Sequence, residues 1–146
     1  MKSSLKLELT LPSNIKLIPL IGNLVETFVN SIKEEIGSID FDDLAFKLDL
    51  ALTEATANAI KHGNKEKEEL PVKIKIEYFN NELTIDVIDY GKGLNTENLD
   101  INMKNIFDSK DSGRGIFIIK QIMDEVSHSY ENGEFKFKMT KKIYKD

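Results

Sequence analysis

The chain has 146 residues, about the size of one ordinary domain, with 40% hydrophobic and 31% charged residues, a balance typical of a globular protein with a buried core. The formal net charge of -5 disfavours a basic surface that would contact a nucleic-acid backbone. Direct nucleic-acid binding is therefore not expected. The absence of cysteine excludes disulfides and thiolate chemistry, and no apolar run is long enough to span a bilayer. We therefore expect a single cytoplasmic domain over residues 1–146, without a signal peptide or a membrane segment.

Three elements are predicted in the first part of the chain. Leucines alternate with polar residues from Leu5 to Leu11, which indicates a half-buried strand. Apolar residues then recur at helical spacing as far as Gly37, and we expect Ser13 to cap this helix. A second helix is predicted from about Phe41 to Lys61, with Asp40 as its cap.

Two hairpins and a third helix are predicted in the second part. Alternating strands flank the turn Asn80-Asn81, and a closing hairpin turns at Asn132-Gly133. Between the hairpins, a helix is predicted over Gly115–Asp124. The order β-α-α-β-β-loop-α-β-β predicts an α+β fold: a two-layer sandwich of one mixed, mostly antiparallel sheet covered on one face by about three helices.

The first motif lies on the second predicted helix. Glu54, Asn58 and His62 are four residues apart, so they climb one face of that helix. Small alanines beside them leave room for a ligand to approach. Taken alone, the same spacing also fits a solvated stripe on an amphipathic helix, and this alternative stays open.

The second motif is Asp89-Tyr90-Gly91-Lys92-Gly93, directly after a predicted strand. Two glycines separated by one residue let the backbone turn sharply and approach a ligand closely. The segment 91–113 that follows has weak periodicity, and loops of this length tend to be functional. An ordinary turn is the alternative interpretation of this motif.

The third motif is Ser112-Gly113-Arg114-Gly115-Ile116, which opens a helix. Free N–H groups at a helix start, together with glycines, can cradle an anion. The motif lacks the GK[ST] of a P-loop, and its glycine spacing does not match a dinucleotide-binding fingerprint. A plain glycine hinge is the alternative.

Order and spacing together are far more selective than any single motif. The helix segment Glu54–His62 resembles the N box of the GHKL (histidine kinase-like) ATPase superfamily, while Asp89–Gly93 and Gly113–Gly115 resemble its two glycine boxes. The resemblance implies the Bergerat-type ATP-binding fold. The run His62-Gly63, the single-domain length and the sequence GIFIIKQIMDEV from Gly115 onward are similar to the anti-sigma factor serine/threonine kinase branch.

The resemblance implies ATP and Mg²⁺ as ligands and a role for each matching residue. Asn58 would coordinate magnesium through its side-chain oxygen, and Glu54, as the catalytic residue, would polarise the attacking hydroxyl. Asp89 would accept a hydrogen bond from the exocyclic amine of adenine, with Gly91 and Gly93 shaping the pocket floor.

The same resemblance places the phosphates at the start of the third helix. They would be cradled by Gly113, Arg114 and Gly115. Ile116, the next residue, is expected to belong to the same cofactor-binding group. Thr140, on the last strand, is expected to touch the adenine site. His62 is expected either to approach the phosphates or simply to end its helix.

The implied function is that of an anti-sigma factor that phosphorylates a serine on a STAS-type anti-anti-sigma partner and sequesters a sigma factor, working as a homodimer. One residue departs from the branch, because Asp111 stands where an arginine is usual. This favours an alternative, a nucleotide-gated protein-binding switch without kinase activity. A sensor histidine kinase fits less well, since the dimerising hairpin with its acceptor histidine is not expected here.

Overall fold

The computed structural model describes residues 4–36, 40–91 and 113–143. The strands in these ranges are Leu5–Pro12 (β1), Pro71–Phe79 (β2), Glu82–Asp89 (β3), Glu125–Glu131 (β4) and Glu134–Lys142 (β5). The α-helices are Ile18–Ser31 (α1), Lys33–Ile36 (α2), Phe41–Asn58 (α3) and Gly113–Ile122 (α4). A 3₁₀ turn at Ile15–Leu17 precedes α1, and a π-helical turn at Ala59–Gly63 continues α3.

The sheet has five strands in the order β1-β2-β3-β5-β4. Every described pairing is antiparallel, so the predicted α+β architecture is confirmed with a sheet that is antiparallel throughout the described strands. Asn80 and Asn81 have φ of 53° and 64°, and Asn132 and Gly133 have φ of 55° and 80°. A two-residue hairpin turn of type I′ requires positive φ at both central residues. The observed φ values therefore confirm both predicted turns.

The core lies between the helices and one face of the sheet. α3 packs between α1 and α4, and its most buried side chains include Leu48 and Leu52, each 1% exposed. On the strands, alternate residues such as Ile85 and Met139 complete the core. Each such side chain stabilises the fold by about 1.5–3 kcal/mol through burial.

The two predicted helix caps have different outcomes. Oδ1 of Asp40 accepts a hydrogen bond from the Asp43 N–H (3.0 Å), so the cap of α3 is confirmed. Ser13 does not cap α1. Its hydroxyl donates to the carbonyl of Leu70 (2.5 Å), while Asn14 caps the 3₁₀ turn that precedes α1.

The helices that flank the motifs differ from their predicted limits. α3 ends at Asn58, three residues before the predicted end, because the backbone widens into the π-helical turn. α4 begins at Gly113, two residues earlier than predicted. At the other end of α4, Nζ of Lys141 donates to the carbonyl of Ile122 (2.9 Å), a partner for a carbonyl that the helix leaves free.

Candidate functional site

The polar residues of the first motif lie at the end of α3 and in the π-helical turn that continues it. Glu54, Asn58 and His62 are all half-buried. Nδ2 of Asn58 and Nε2 of His62 are shielded from solvent and have no hydrogen-bond partner among the described residues. Because buried polar atoms are almost always paired in folded proteins, two orphaned atoms one turn apart indicate a place where a ligand supplies the missing partners.

A second group of residues meets at the end of β3. The carboxylate of Asp89 packs against Gly63, the last residue of the π-helical turn, so closely that a Cβ atom on Gly63 would collide with it. A Cβ on Gly91 would collide with the carbonyl oxygen of Gly63. The end of β3 and the end of the π-helical turn after α3 are therefore in backbone contact, and only glycine permits this approach.

The Asp89 carboxyl is held in an environment that disfavours its charge. Its side chain is 3% exposed, and burial raises its pKa from the ordinary 3.8 to about 7. The N–H of Gly91 donates to Oδ1 (3.2 Å) and lowers the pKa only in part. A buried carboxyl that titrates near neutral pH is a recognised sign of a functional site.

The start of α4 approaches the other end of the site. A Cβ atom on Gly115 would lie 2.5 Å from Oε2 of Glu54, so the Glu54 carboxylate rests on the backbone of α4. α4 begins at Gly113, and its first turn carries no acidic residue. The first four N–H groups of a helix lack intrahelical partners, and the dipole adds positive potential there. This helix start therefore suits an anion beside Glu54.

Two further residues of the third motif have different surroundings. Arg114 is exposed, so its guanidinium is free to approach a bound anion from solvent. Ile116 is only 3% exposed and belongs to the hydrophobic core. Ile116 can therefore contribute its backbone N–H to a ligand, while its side chain packs inside the domain.

Thr140 is not brought to this site. On β5 the residue opposite Asp89 is Phe135, while Thr140 lies opposite Thr84. Thr140 is thus five residues along the strand, roughly 17 Å away at the strand rise, and on the other face of the sheet from Asp89. The expected contact of Thr140 with the adenine site is corrected on these grounds. Gly93 and Asp111 lie outside the described residues.

Sequence reasoning missed two residues that shape the site. Gly63 makes the backbone contact with Asp89 and Gly91 described above. Asn64 is completely buried, and its Oδ1 accepts a hydrogen bond from the Tyr90 N–H (2.8 Å). The sequence signal for both is the uninterrupted run His62-Gly63-Asn64 at the end of the first motif.

The side-chain oxygen of Asn58 fits a magnesium ion whose other ligands come mainly from a nucleotide. Mg²⁺ commonly takes one or two protein oxygens and completes its octahedron with phosphates and waters. In the described part of the chain, no cluster of three or more acidic or histidine side chains forms a protein-only metal site. Half a turn about χ2 of Asn58 exchanges its Oδ1 and Nδ2, which brings the oxygen into the buried position that lacks a partner.

The fold and these residues define a two-layer α+β domain with a polar site where a helix end, a strand end and a helix start meet. The family model of the histidine kinase-like ATPase domain matches residues 23–141. The chain therefore belongs to the histidine kinase-like ATPase domain family.

Of two similar proteins, one is named an anti-sigma factor and the other a serine-protein kinase. The anti-sigma F factor of Clostridium botulinum (strain Eklund 17B / Type B) is 35% identical over 78 residues, which cover 51% of this chain and 53% of that protein. The aligned region thus spans about half the length of that relative. The serine-protein kinase RsbW of Staphylococcus epidermidis is 26% identical over 134 residues, covering 87% of this chain and 80% of that protein.

Solved structures give the same fold. The RsbU and RsbW domains of a Mycobacterium tuberculosis protein match with a TM-score of 0.60 at 14% identity, over 95% of this chain and 32% of that one. The Acinetobacter baumannii histidine kinase AdeS matches with a TM-score of 0.51 at 13% identity, over 94% of this chain and 68% of that one. Within the described ranges, none of the helices is both long enough and apolar enough to cross a membrane.

Proposed function

We propose that this chain is an ATP-binding anti-sigma factor that phosphorylates a serine on a STAS-type anti-anti-sigma protein and sequesters a sigma factor. It acts in the cytoplasm as one domain. The observation that carries the proposal is the contact of Glu54 with Gly115 on one side of the site, and of Gly63 with Asp89 on the other. Gly63 ends the π-helical turn that continues the helix of Glu54. The names of the two relatives, an anti-sigma factor and a serine-protein kinase, support it.

Each side of the proposed site binds a different part of ATP. Asp89 accepts a hydrogen bond from the adenine amine, which an ionised carboxylate does best. Asn58 holds Mg²⁺, which when bound neutralises charge on the phosphates. The free N–H groups at the start of α4, with Arg114 nearby, hold the phosphate oxygens. Gly91, Gly93 and Gly113 allow the backbone to approach the nucleotide, and His62 approaches the phosphates.

Glu54 is the catalytic residue of the proposal. Phosphoryl transfer needs mainly positioning and charge neutralisation from a protein, so one oriented carboxylate beside the phosphate site is sufficient as a base. Glu54 accepts the proton of the attacking serine hydroxyl while the oxygen bonds to the γ-phosphorus and ADP leaves. Its contact with Gly115 sets the direction from which that hydroxyl arrives.

Transfer of labelled phosphate from ATP to a candidate anti-anti-sigma protein tests this proposal. We expect label on serine with the wild type and at least about 100-fold less with Glu54→Ala, while ATP affinity is largely kept. Asn58→Ala should lose the magnesium dependence of ATP binding. Glu26→Ala, an exposed glutamate on α1, is the matched control and should behave as the wild type.

The same assay distinguishes the proposed kinase from the alternative function, a nucleotide-gated switch, which the presence of Asp111 favours. A switch binds ATP and changes partners with nucleotide, but it moves no label onto serine. If Glu54→Ala and Asn58→Ala both bind ATP and transfer phosphate like the wild type, the roles assigned to the site are wrong.

A homodimer through the sheet edge is part of the proposal. In the described sheet, β1 is an edge strand with a neighbour on one side only. An antiparallel copy with Leu7 opposite Leu7 places Lys6 opposite Glu8 twice and Leu5 opposite Leu9, and opposite residues share a face. This register is complementary in charge and continuous in its apolar face.

Sedimentation of charge-reversed variants tests the dimer. Lys6→Glu should weaken association, and the double change Lys6→Glu with Glu8→Lys should restore it. The ion pair between Lys6 and Glu77 (3.4 Å) is exposed, so its loss has little effect on stability. A wild type that stays monomeric at all concentrations, or a double variant no better than the single one, contradicts this register.

A further inference from the structure

The side chain of Asn64 connects its own turn with three other parts of the chain. Its Nδ2 donates towards Oγ of Ser13 (2.8 Å) and the carbonyls of Leu70 (3.1 Å) and Pro71 (2.9 Å). Its Oδ1 accepts from the N–H of Tyr90 (2.8 Å). The amide is completely buried, so each of these bonds forms away from competing water.

The bond to Tyr90 fixes the backbone where the sheet no longer does. The β3–β5 ladder ends with Asp89 opposite Phe135, so Tyr90 is the first residue beyond it. Tyr90 lies between Asp89 and Gly91, and both of these pack against Gly63. Since Gly63 immediately precedes Asn64, one side chain fixes both sides of this contact.

The backbone after Asn64 is strained. Lys65 and Glu66 both have left-handed φ values, 53° and 59°, which residues other than glycine seldom adopt in succession. The turn is held by hydrogen bonds from the Asn64 N–H to the carbonyl of Ala59 (2.8 Å) and from the Glu66 N–H to that of Ile60 (2.7 Å). Strain of this kind persists where surrounding bonds over-determine the conformation, and it clusters at functional sites.

We propose that Asn64 is a positioning residue that sets the selectivity of this site for adenine over guanine. Its bond to the Tyr90 N–H holds the Asp89 carboxylate against Gly63, at the place where a base amine donates to it. Guanine carries a carbonyl oxygen there, which a fixed carboxylate repels. The inference rests on the proposed ATP site and adds to it the residue that determines which base is accepted.

The ratio of the GTP to the ATP dissociation constant, measured with Mg²⁺ present, tests the role of Asn64. We expect this ratio to fall at least about tenfold in Asn64→Ala, with GTP affinity changed less than about twofold. Ser13→Ala is the matched control, because it removes one partner of Asn64 and leaves the Tyr90 bond. It should lower stability in urea while keeping the wild-type ratio.

A backbone substitution covers the case in which Asn64→Ala does not fold. Incorporating the α-hydroxy acid analogue of tyrosine at position 90 replaces one N–H by an ester oxygen. This removes the bond to Oδ1 and leaves the three contacts of Nδ2. The same fall in the ratio is expected.

The outcomes distinguish this inference from the function on which it depends. An ester variant with the wild-type ratio, or an equal loss of ATP and GTP affinity, overturns the positioning role alone. A wild type that binds no ATP, or that binds ATP and GTP equally, overturns the assigned adenine site and this inference with it.

Discussion

Replacing Asp89 by asparagine should stabilise the free protein at neutral and alkaline pH. The carboxyl is 3% exposed, and burial raises its pKa from 3.8 to about 7, offset only in part by the Gly91 N–H. The folded protein therefore holds the Asp89 proton more tightly than the unfolded chain does. A neutral side chain of the same shape avoids the cost of burying the charge.

The magnitude follows from the difference between the two pKa values. One pKa unit corresponds to about 1.4 kcal/mol, so about three units correspond to an upper limit of roughly 4 kcal/mol. Because the pKa is raised in the folded state, the stabilising contribution is complete below about pH 4 and is lost as the pH rises through about 7. Between pH 5 and 8, the free energy of unfolding of Asp89→Asn should gain about 2–3 kcal/mol over that of the wild type.

Urea unfolding of both proteins from pH 5 to pH 8 measures this difference directly. Comparing the two proteins cancels groups that titrate in both, and Asp86→Asn, on the same strand but the other sheet face, is the control. A difference that stays constant across this range, or an Asp89→Asn variant less stable than the wild type at pH 8, would refute the reasoning.

Three further predictions concern ATP affinity, Glu54 and the core. ATP affinity of the wild type should fall as the pH drops below about 7, by at most about tenfold per unit, because in the proposed site the adenine amine donates to the ionised Asp89; calorimetric titration measures it. Gly115→Ala should lower phosphate transfer more than ATP binding, since the added Cβ lies 2.5 Å from Oε2 of Glu54; kinase assays and binding titrations compare the two effects. Leu48→Ala should cost about 2–5 kcal/mol of unfolding free energy, because Leu48 is 1% exposed; urea denaturation measures it.

Much of the fold could be predicted because its signals are local. The alternation of β1, the cap at Asp40 and the two hairpin turns depend on neighbouring residues, and the structure confirms them. The exception at Ser13 has a physical reason. A serine hydroxyl serves a nearby helix or a distant carbonyl equally well, and here it bonds to Leu70, 57 residues away.

The site could be predicted only in part. The spacing of Glu54 and Asn58 within one helix is local, but the widened turn after Asn58 leads to Asn64, whose side chain bonds to Pro71 on β2 and to Tyr90 just beyond β3. The register of β5 against β3 is likewise set by packing between elements distant in sequence. This is why the sequence could not show that Thr140 lies on the other face of the sheet from Asp89.

The contacts that assemble the site explain why its glycines, rather than its charges, determine its geometry. Gly63 and Gly91 bring the helix end to Asp89, and Gly115 brings the start of α4 to Glu54. In each contact a carboxylate or carbonyl occupies the space of the missing Cβ. A charge can be supplied from many positions on a surface, but backbone contact at this distance requires glycine at one position only. The glycines therefore fix where the two carboxylates lie, and the carboxylates then determine the chemistry.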